Sequence, residues 1–289
     1  MKGCVSFVAL LFCCTLVFSQ VHEGGINLGV SNLYGDLGGS PHKGTRFFID
    51  LEPRLFRPSI GVYYRNQFAP HFLFKTSINY CVLHGDDNLV NAEPGQDGYF
   101  RQMRGIKVRT PVAELTAEFE YAWMYFRPGS RKYRFTPYIG LGAGAFYFNP
   151  KGPYGNGWVA LRPLSTEGQG FAEYPDVRKY WIVQPVITAC FGLKYNFNRH
   201  FSIGANLNVR KTFTDYLDDT SKEYIDPEVF GNHFSPAKAA MASYFSNPTG
   251  VYKPGDIRGN RKDKDSYFLI YFNLQYHFGR SSFSCPRRL

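Results

Sequence analysis

The chain has 289 residues, 44% of them hydrophobic and 18% aromatic, and carries a formal net charge of +10. Beyond residue 20 no apolar run reaches the roughly 18 residues a transmembrane helix needs, which excludes a helical membrane protein. A membrane β-barrel stays open, because its strands need only about 9–11 residues. The 27 Phe and 21 Tyr favour strands, and the basic balance of an exported chain points to lipid phosphates and acidic partners rather than nucleic acid.

Residues 1–19 read as a signal peptide. Lys2 supplies the positive start, an apolar run spans 5–18, and Val17 and Ser19 hold the small-residue positions before Gln20. A lipoprotein anchored on Cys14 is the competing reading. It is the poorer one, because Phe12 and Cys13 stand where small residues should precede the lipidated cysteine. The expected plan is a signal peptide at 1–19, a barrel at 20–278 and a periplasmic tail at 279–289.

Eight segments then alternate apolar and polar residues with period two, which scatters apolar groups around a helix but gathers them on one face of a strand. In chain order they are 25–34, 59–65, 72–82, 112–124, 135–148, 184–196, 203–213 and 267–278. In the fourth, Leu115, Ala117, Phe119, Tyr121 and Trp123 oppose Glu114, Thr116, Glu118 and Glu120. In the eighth, Phe268, Ile270, Phe272, Leu274, Tyr276 and Phe278 share one face without interruption.

The connections alternate strictly between short (66–71, 127–134, 198–200) and long (36–57, 85–111, 149–182, 216–266). This asymmetry predicts an all-β, antiparallel transmembrane β-barrel of about eight strands, with short periplasmic turns and long external loops. It would sit in outer-membrane lipid with both termini periplasmic. A soluble lipocalin-like barrel or a β-sandwich shares the period and is the structural alternative. Aromatic-rich faces opposed by charged ones favour lipid outside and a polar lumen inside.

The last long loop holds Ser235-Pro236 before AKAAMASYF, an expected N-cap, a proline at the first helical position and about two turns of helix. The third, with glycines at 152, 155, 157, 168 and 170, is expected to be irregular but packed. Gly140, Gly142 and Gly144 lack the spacing and the following helix of a dinucleotide fingerprint. They read as small inward residues that leave room for side chains across a narrow lumen.

Glu114, Glu118 and Glu120 could suggest acid–base chemistry, but inward Lys75, Lys194 and Arg210 are available to pair with them. A structural lumen network is the expectation, since side chains fill an eight-stranded interior and buried charges need partners. The histidines show no ligand spacing, and Asp86-Asp87 and Asp218-Asp219 lack the pattern of a dedicated calcium loop and read as solvated acids. No catalytic, cofactor or metal residue is assigned, so the chain reads as a non-enzyme. A lipid-modifying barrel enzyme would need a nucleophile beside a base; His277 faces inward near the periplasmic end, with no neighbouring serine evident.

Five strings carry a family resemblance: NLYGDLGG at 32–39, GVYYRNQF at 61–68, FTPYIGLGAGAFYFNP at 135–150, LRPLSTEGQG at 161–170 and RKTFTDYLDD at 210–219. In this order, over about 24–278, the chain resembles the PorG family, outer-membrane barrels of the type IX secretion system with OmpA-like architecture. The resemblance implies a non-enzymatic accessory of protein secretion and, in some bacteria, gliding motility. It also implies association with the periplasmic ring lipoprotein PorK and its partner PorN. A stand-alone surface barrel, a small porin or adhesin, is the alternative.

Two expectations concern the periplasmic side. Arg65, Arg127, Arg131, Lys132, Arg134, Arg199, Arg280, Arg287 and Arg288 gather there, with Arg131, Lys132 and Arg134 as candidate partner contacts; a merely solvated cluster is the bland reading. Loss of the signal leaves Cys81, Cys190 and Cys285, an odd count that implies a free thiol or an intermolecular bond. Cys81 and Cys190 point into the lumen from strands that are not neighbours. Cys285, beside Arg287 and Arg288, which favour its thiolate, is the candidate for a mixed disulfide with the ring lipoprotein, a free or capped thiol being the alternative.

Overall fold

The computed structural model describes residues 21–37, 53–261 and 263–278. The signal segment 1–19 and the tail 279–289, with Arg280, Cys285, Arg287 and Arg288, lie outside the described residues. Period two becomes a meander of strands: β1 (Val21–Tyr34), β2 (Arg57–Gln67), β3 (Phe72–Asp86), β4 (Lys107–Ala122) and β5 (Phe135–Phe148). A hairpin of β6 (Lys151–Tyr154) and β7 (Gly157–Ala160) follows, then β8 (Val183–Asn196), β9 (Phe201–Thr212) and β10 (Ser266–Phe278). Each long strand pairs antiparallel with its neighbour, β5 with β8 across the hairpin, and β1 closes on β10 with Ile26 opposite Leu274. Eight strands thus form a closed barrel without a free edge, and β6 pairs with β4 at Arg109 opposite Lys151.

Which face points outward decides between lipid and water. Ile26, Leu28, Ile78, Leu115, Phe119, Leu141 and Phe272 remain 47–71% exposed, while Glu23, Lys75, Glu118 and Arg210 are buried inside. A continuous apolar belt around the whole circumference far exceeds the few hundred Å² that soluble proteins leave bare. It rules out the lipocalin-like and sandwich alternatives and fits a barrel that spans a bilayer. Aromatic rings crowd the short-turn rim: Tyr64 stacks near Phe278 at 6.5 Å, Phe72 meets Tyr121 at 5.4 Å, and Phe201 meets Tyr276 at 5.4 Å. No helix among the described residues is long and apolar enough to cross a membrane.

The strands run further than the alternation suggested. Gly85 and Pro111 look like breakers, yet they sit inside the β3–β4 ladder, which continues to Asp86 opposite Lys107. The third long loop is more regular than expected, since it contains the β6–β7 hairpin. Two short helices were not foreseen, α1 (Asp97–Arg104) and α2 (Val229–His233). Gly105 ends α1 at φ +64°, with its N–H on the Arg101 carbonyl. The foreseen helix, α3 (Pro236–Ser246), is 11 residues long, and Ser235 adopts the extended N-cap backbone without making a side-chain capping bond.

Two apolar layers close the long-loop end. Phe146, Phe148, Leu83, Leu269, Tyr267 and Tyr271 fill the upper lumen. Above them the loops fold on one another around Leu37, Ile106, Val108, Leu164, Phe230 and Phe245.

Candidate functional site

In the lower lumen, strand parity brings four acids against four cations. Arg210 bonds Glu114 at 3.0 Å and Glu118 at 3.4 Å, and Lys75 bonds Glu118 at 2.8 Å and lies 3.8 Å from Glu120. Arg65 spans Glu120 and Glu23 at 2.7 and 3.1 Å, and Lys194 reaches Glu23 at 2.8 Å. The six expected network residues therefore lie together, joined by Glu23 and Arg65. Arg65 corrects the sequence reading: it is buried in the lumen and is not part of the turn-end surface. A ladder of amides, Asn208 to Asn206 to Asn273 to Asn27 to Asn79, crosses the same level and ends on Glu114.

Gly140, Gly142 and Gly144 face this network from β5. A Cβ at Gly142 would stand 2.8 Å from Glu118 Cγ, and one at Gly140 would meet Cys190 Sγ at 2.6 Å and Glu120 Cγ at 3.0 Å. Side chains there would displace the carboxylates. Cys81 and Cys190 are buried, free thiols. Glu118, Glu120 and Cys190 lie close enough to share a metal ion, but Lys75 and Arg65 already neutralise the two carboxylates.

His277 does have a serine beside it, which corrects the sequence reading. Its Nε2 lies 2.5 Å from Ser202 Oγ, and its Nδ1 lies 3.6 Å from Glu23 Oε1. That order of groups is the one a nucleophile, base and acid would need. Access fails, however. Ser202 and Glu23 have no exposed surface, Phe126 packs near the imidazole at 6.1 Å, and the adjoining void beside Lys194 is about 10 Å³, room for about one water. With no space for an acyl substrate, the trio is part of the lumen packing.

The second cluster lies in the cap, where three of the five family-like strings meet. Arg104 donates to Asp87 at 2.7 Å, to the carbonyl of Asp36 at 2.6 Å and to that of Arg258 at 2.7 Å. Arg258 donates to Glu167 at 2.8 Å and to the carbonyls of Asp219 and Ser246 at 2.5 and 3.1 Å. Thr166 and Tyr180 donate to the carboxylate of Asp219 at 2.5 and 2.8 Å, and Glu167 accepts the backbone N–H of Ser221 at 2.8 Å. Two buried arginines thereby stitch all four long loops together. Asp87, Asp218 and Asp219 are fully buried and Asp86 nearly so, so the expectation of solvated loop acids is wrong. Burial holds Asp219 at about 6 and pushes Asp218 well above the usual carboxylate range.

The third feature is the surface of the short turns. Gly129, at φ +81°, gives its N–H to Asn196 Oδ1 at 2.9 Å, and its bare Cα leaves room for the Arg199 side chain. This contact puts the turns after β4 and β8 side by side. Arg131, Lys132 and Arg199 are exposed, Arg127 and Arg134 are half-buried, and none of the five makes an ion pair among the described residues.

One family model runs through this arrangement from β1 to β9 and stops short of β10. The model of the domain of unknown function DUF6089 matches residues 2–236. The chain belongs to the DUF6089 family. No curated protein sequence matches this DUF6089 member. Solved structures similar to it include the outer membrane protein OprG from Pseudomonas aeruginosa, 12% identical, with 90% of this chain and 98% of that chain covered and a TM-score of 0.41. Ail, the attachment invasion locus protein of Yersinia pestis, is 11% identical over 90% and 100% of the two chains, with a TM-score of 0.39. The N-terminal β-barrel domain of OprF from Pseudomonas aeruginosa is 9% identical over 90% and 98%, with a TM-score of 0.37.

Proposed function

We propose that this chain is a non-enzymatic scaffold barrel of the outer membrane, a component of the type IX secretion machinery that docks the periplasmic ring proteins at its short-turn end. The filled lumen carries the reading: four acids are balanced by four cations, with an apolar layer and a folded cap above them. A barrel packed in this way offers a solute no passage. What remains for a partner is the two ends, and the uncompensated cations of the turn end suit an acidic surface. The ring lipoprotein PorK and its partner PorN, implied by the family resemblance, are the proposed occupants.

Purification of the tagged full chain from native membranes tests this. PorK and PorN should be recovered with it, and reversing Arg131, Lys132 and Arg134 to Glu should lower recovery about tenfold at low salt, with folding unchanged. Recovery of the barrel alone favours the stand-alone surface barrel instead. A mixed disulfide through Cys285 would make the association covalent. Non-reducing electrophoresis should then show a high-mass band that collapses on reduction and is lost in Cys285→Ser; identical migration with and without reductant contradicts the bond.

A further inference from the structure

We propose that the β6–β7 hairpin and the adjoining end of β4 bind a phosphate group of lipid A, the glycolipid of the outer leaflet. Arg109 and Lys151 supply the cations and Trp158 the wall. The site does not depend on the secretion role, and it stands where the lipid-facing surface ends. On β4 the outward column runs from Tyr121 at the short-turn rim through Phe119, Leu115 and Ala113 to Pro111 and Arg109. A strand that rises about 3.3 Å per residue at a tilt of about 40° puts Arg109 roughly 30 Å above Tyr121, just past an apolar band about 25 Å tall. That is the level of the headgroups.

The hairpin prolongs the outer face beyond the barrel. Arg109 stands opposite Lys151, and the pairs Lys151–Ala160 and Pro153–Trp158 keep Trp158 on the same face as Lys151. The Arg109 guanidinium lies 5.9 Å from the centre of the Trp158 ring. His84, opposite Arg109 on β3, lies 6.3 Å from the same ring. The hairpin's other face is fixed to the cap, because Gly152 has no side chain and the Phe245 ring stands where its Cβ would be. Below the cations, Tyr80, Ala113, Tyr147 and Val183 form one cross-strand row, all exposed on the lipid side.

Two like charges directly opposite in a ladder repel, and here no acid offsets them. Asp86, one outward step beyond His84, is engaged by Lys107 at 3.0 Å. Arg109 and Lys151 make no ion pair among the described residues; Arg109 is exposed and Lys151 half-buried. An anion seated between them removes the repulsion. The planar guanidinium can meet two oxygens of one phosphate, the ammonium adds a point charge, and the indole face holds the guanidinium by cation–π attraction. Continuity with the apolar row favours a lipid over a free anion: acyl chains attached to that phosphate would lie along Tyr80 and Tyr147, amphipathic rings suited to a membrane interface.

Native mass spectrometry of the full chain in detergent tests the site, with bisphosphorylated lipid A or the same lipid stripped of its phosphates as the probe. The phosphorylated lipid should be retained about tenfold better at equal concentration, and excess inorganic phosphate should not displace it. Arg109→Gln with Lys151→Gln should erase the preference while the barrel keeps its heat-modifiable gel mobility. Lys238→Gln with Lys253→Gln, which removes two charges from the last long loop, should leave it intact. If the first double variant does not fold, Lys151→Gln alone should lower the preference about threefold. Equal retention of the two lipids by the parent overturns the proposal, as does displacement by inorganic phosphate. A preference that survives loss of the hairpin cations, or falls equally with the loop cations, overturns it too.

Discussion

Glu114 accepts hydrogen bonds from Arg210 at 3.0 Å, Asn79 at 2.8 Å and Tyr267 at 2.6 Å, all inside the barrel. Removing it leaves Arg210 only a 3.4 Å contact with Glu118, so Glu114→Leu should cost about 3–5 kcal/mol. The double variant Glu114→Leu with Arg210→Leu should recover much of that loss, because no charge is then stranded. Urea unfolding in detergent measures both; a double variant no better than the single would mean the pair is not coupled. This network was largely visible in the sequence, since parity alone turns Glu114, Glu118 and Glu120 inward. Glu23, Arg65 and Ser202 were misplaced or missed because they lie at or just beyond the ends of the segments read as strands. Glu23 shares the parity of Asn27, Arg65 that of Gly61, and Ser202 that of Asn206. Parity within 59–65 already turned Arg65 inward, and carrying the period two residues further would have put Glu23 and Ser202 in the lumen as well.

Loops leave no such period, which is why the cap was not legible. Its central contact joins Glu167 to Arg258 across 91 positions, and no local pattern encodes a pairing so distant. The strings TEGQG and TDYLDD marked the right segments without showing that they meet. Arg258→Gln should loosen the cap by about 3–5 kcal/mol by leaving Glu167 buried and unpaired. Hydrogen exchange should then rise in 161–181 and 213–265 while the strands stay protected; faster exchange in the strands as well would place Arg258 in the barrel's own stability. The cap should also respond to pH against the usual direction for acids. Burial foremost raises Asp215 and Asp219 to about 6, against about 4 when unfolded. Asp36, Asp218, Asp265 and Glu167 crowd the same region, opposed by Arg104, Arg258 and Lys264. The folded cap thus binds more protons than the unfolded chain, so stability is full below about pH 4 and declines as pH rises through about 6. The cap should resist a broad-specificity protease better at pH 5 than at pH 7.5, after correction for protease activity. Lower resistance at pH 5 contradicts this.

The whole molecule is a bilayer-spanning barrel with a covered end and a basic end, and eight strands with their alternating connections were readable from the sequence because period two and loop length both survive folding. Topology follows from the same asymmetry. Gly95 and Gly255 have nothing within 4 Å of a Cβ position and accept a tag without displacing neighbours. Tags there should be reached on intact cells, and a tag at Ser130 only after the outer membrane is breached; labelling of Ser130 on intact cells inverts the orientation. A lumen filled by paired side chains should not conduct ions. Reconstitution of the full chain in planar bilayers tests it most directly. The membrane should stay silent at every applied voltage, despite heat-modifiable, folded protein in the sample. Stable single-channel steps would mean a water-filled lumen and would contradict it.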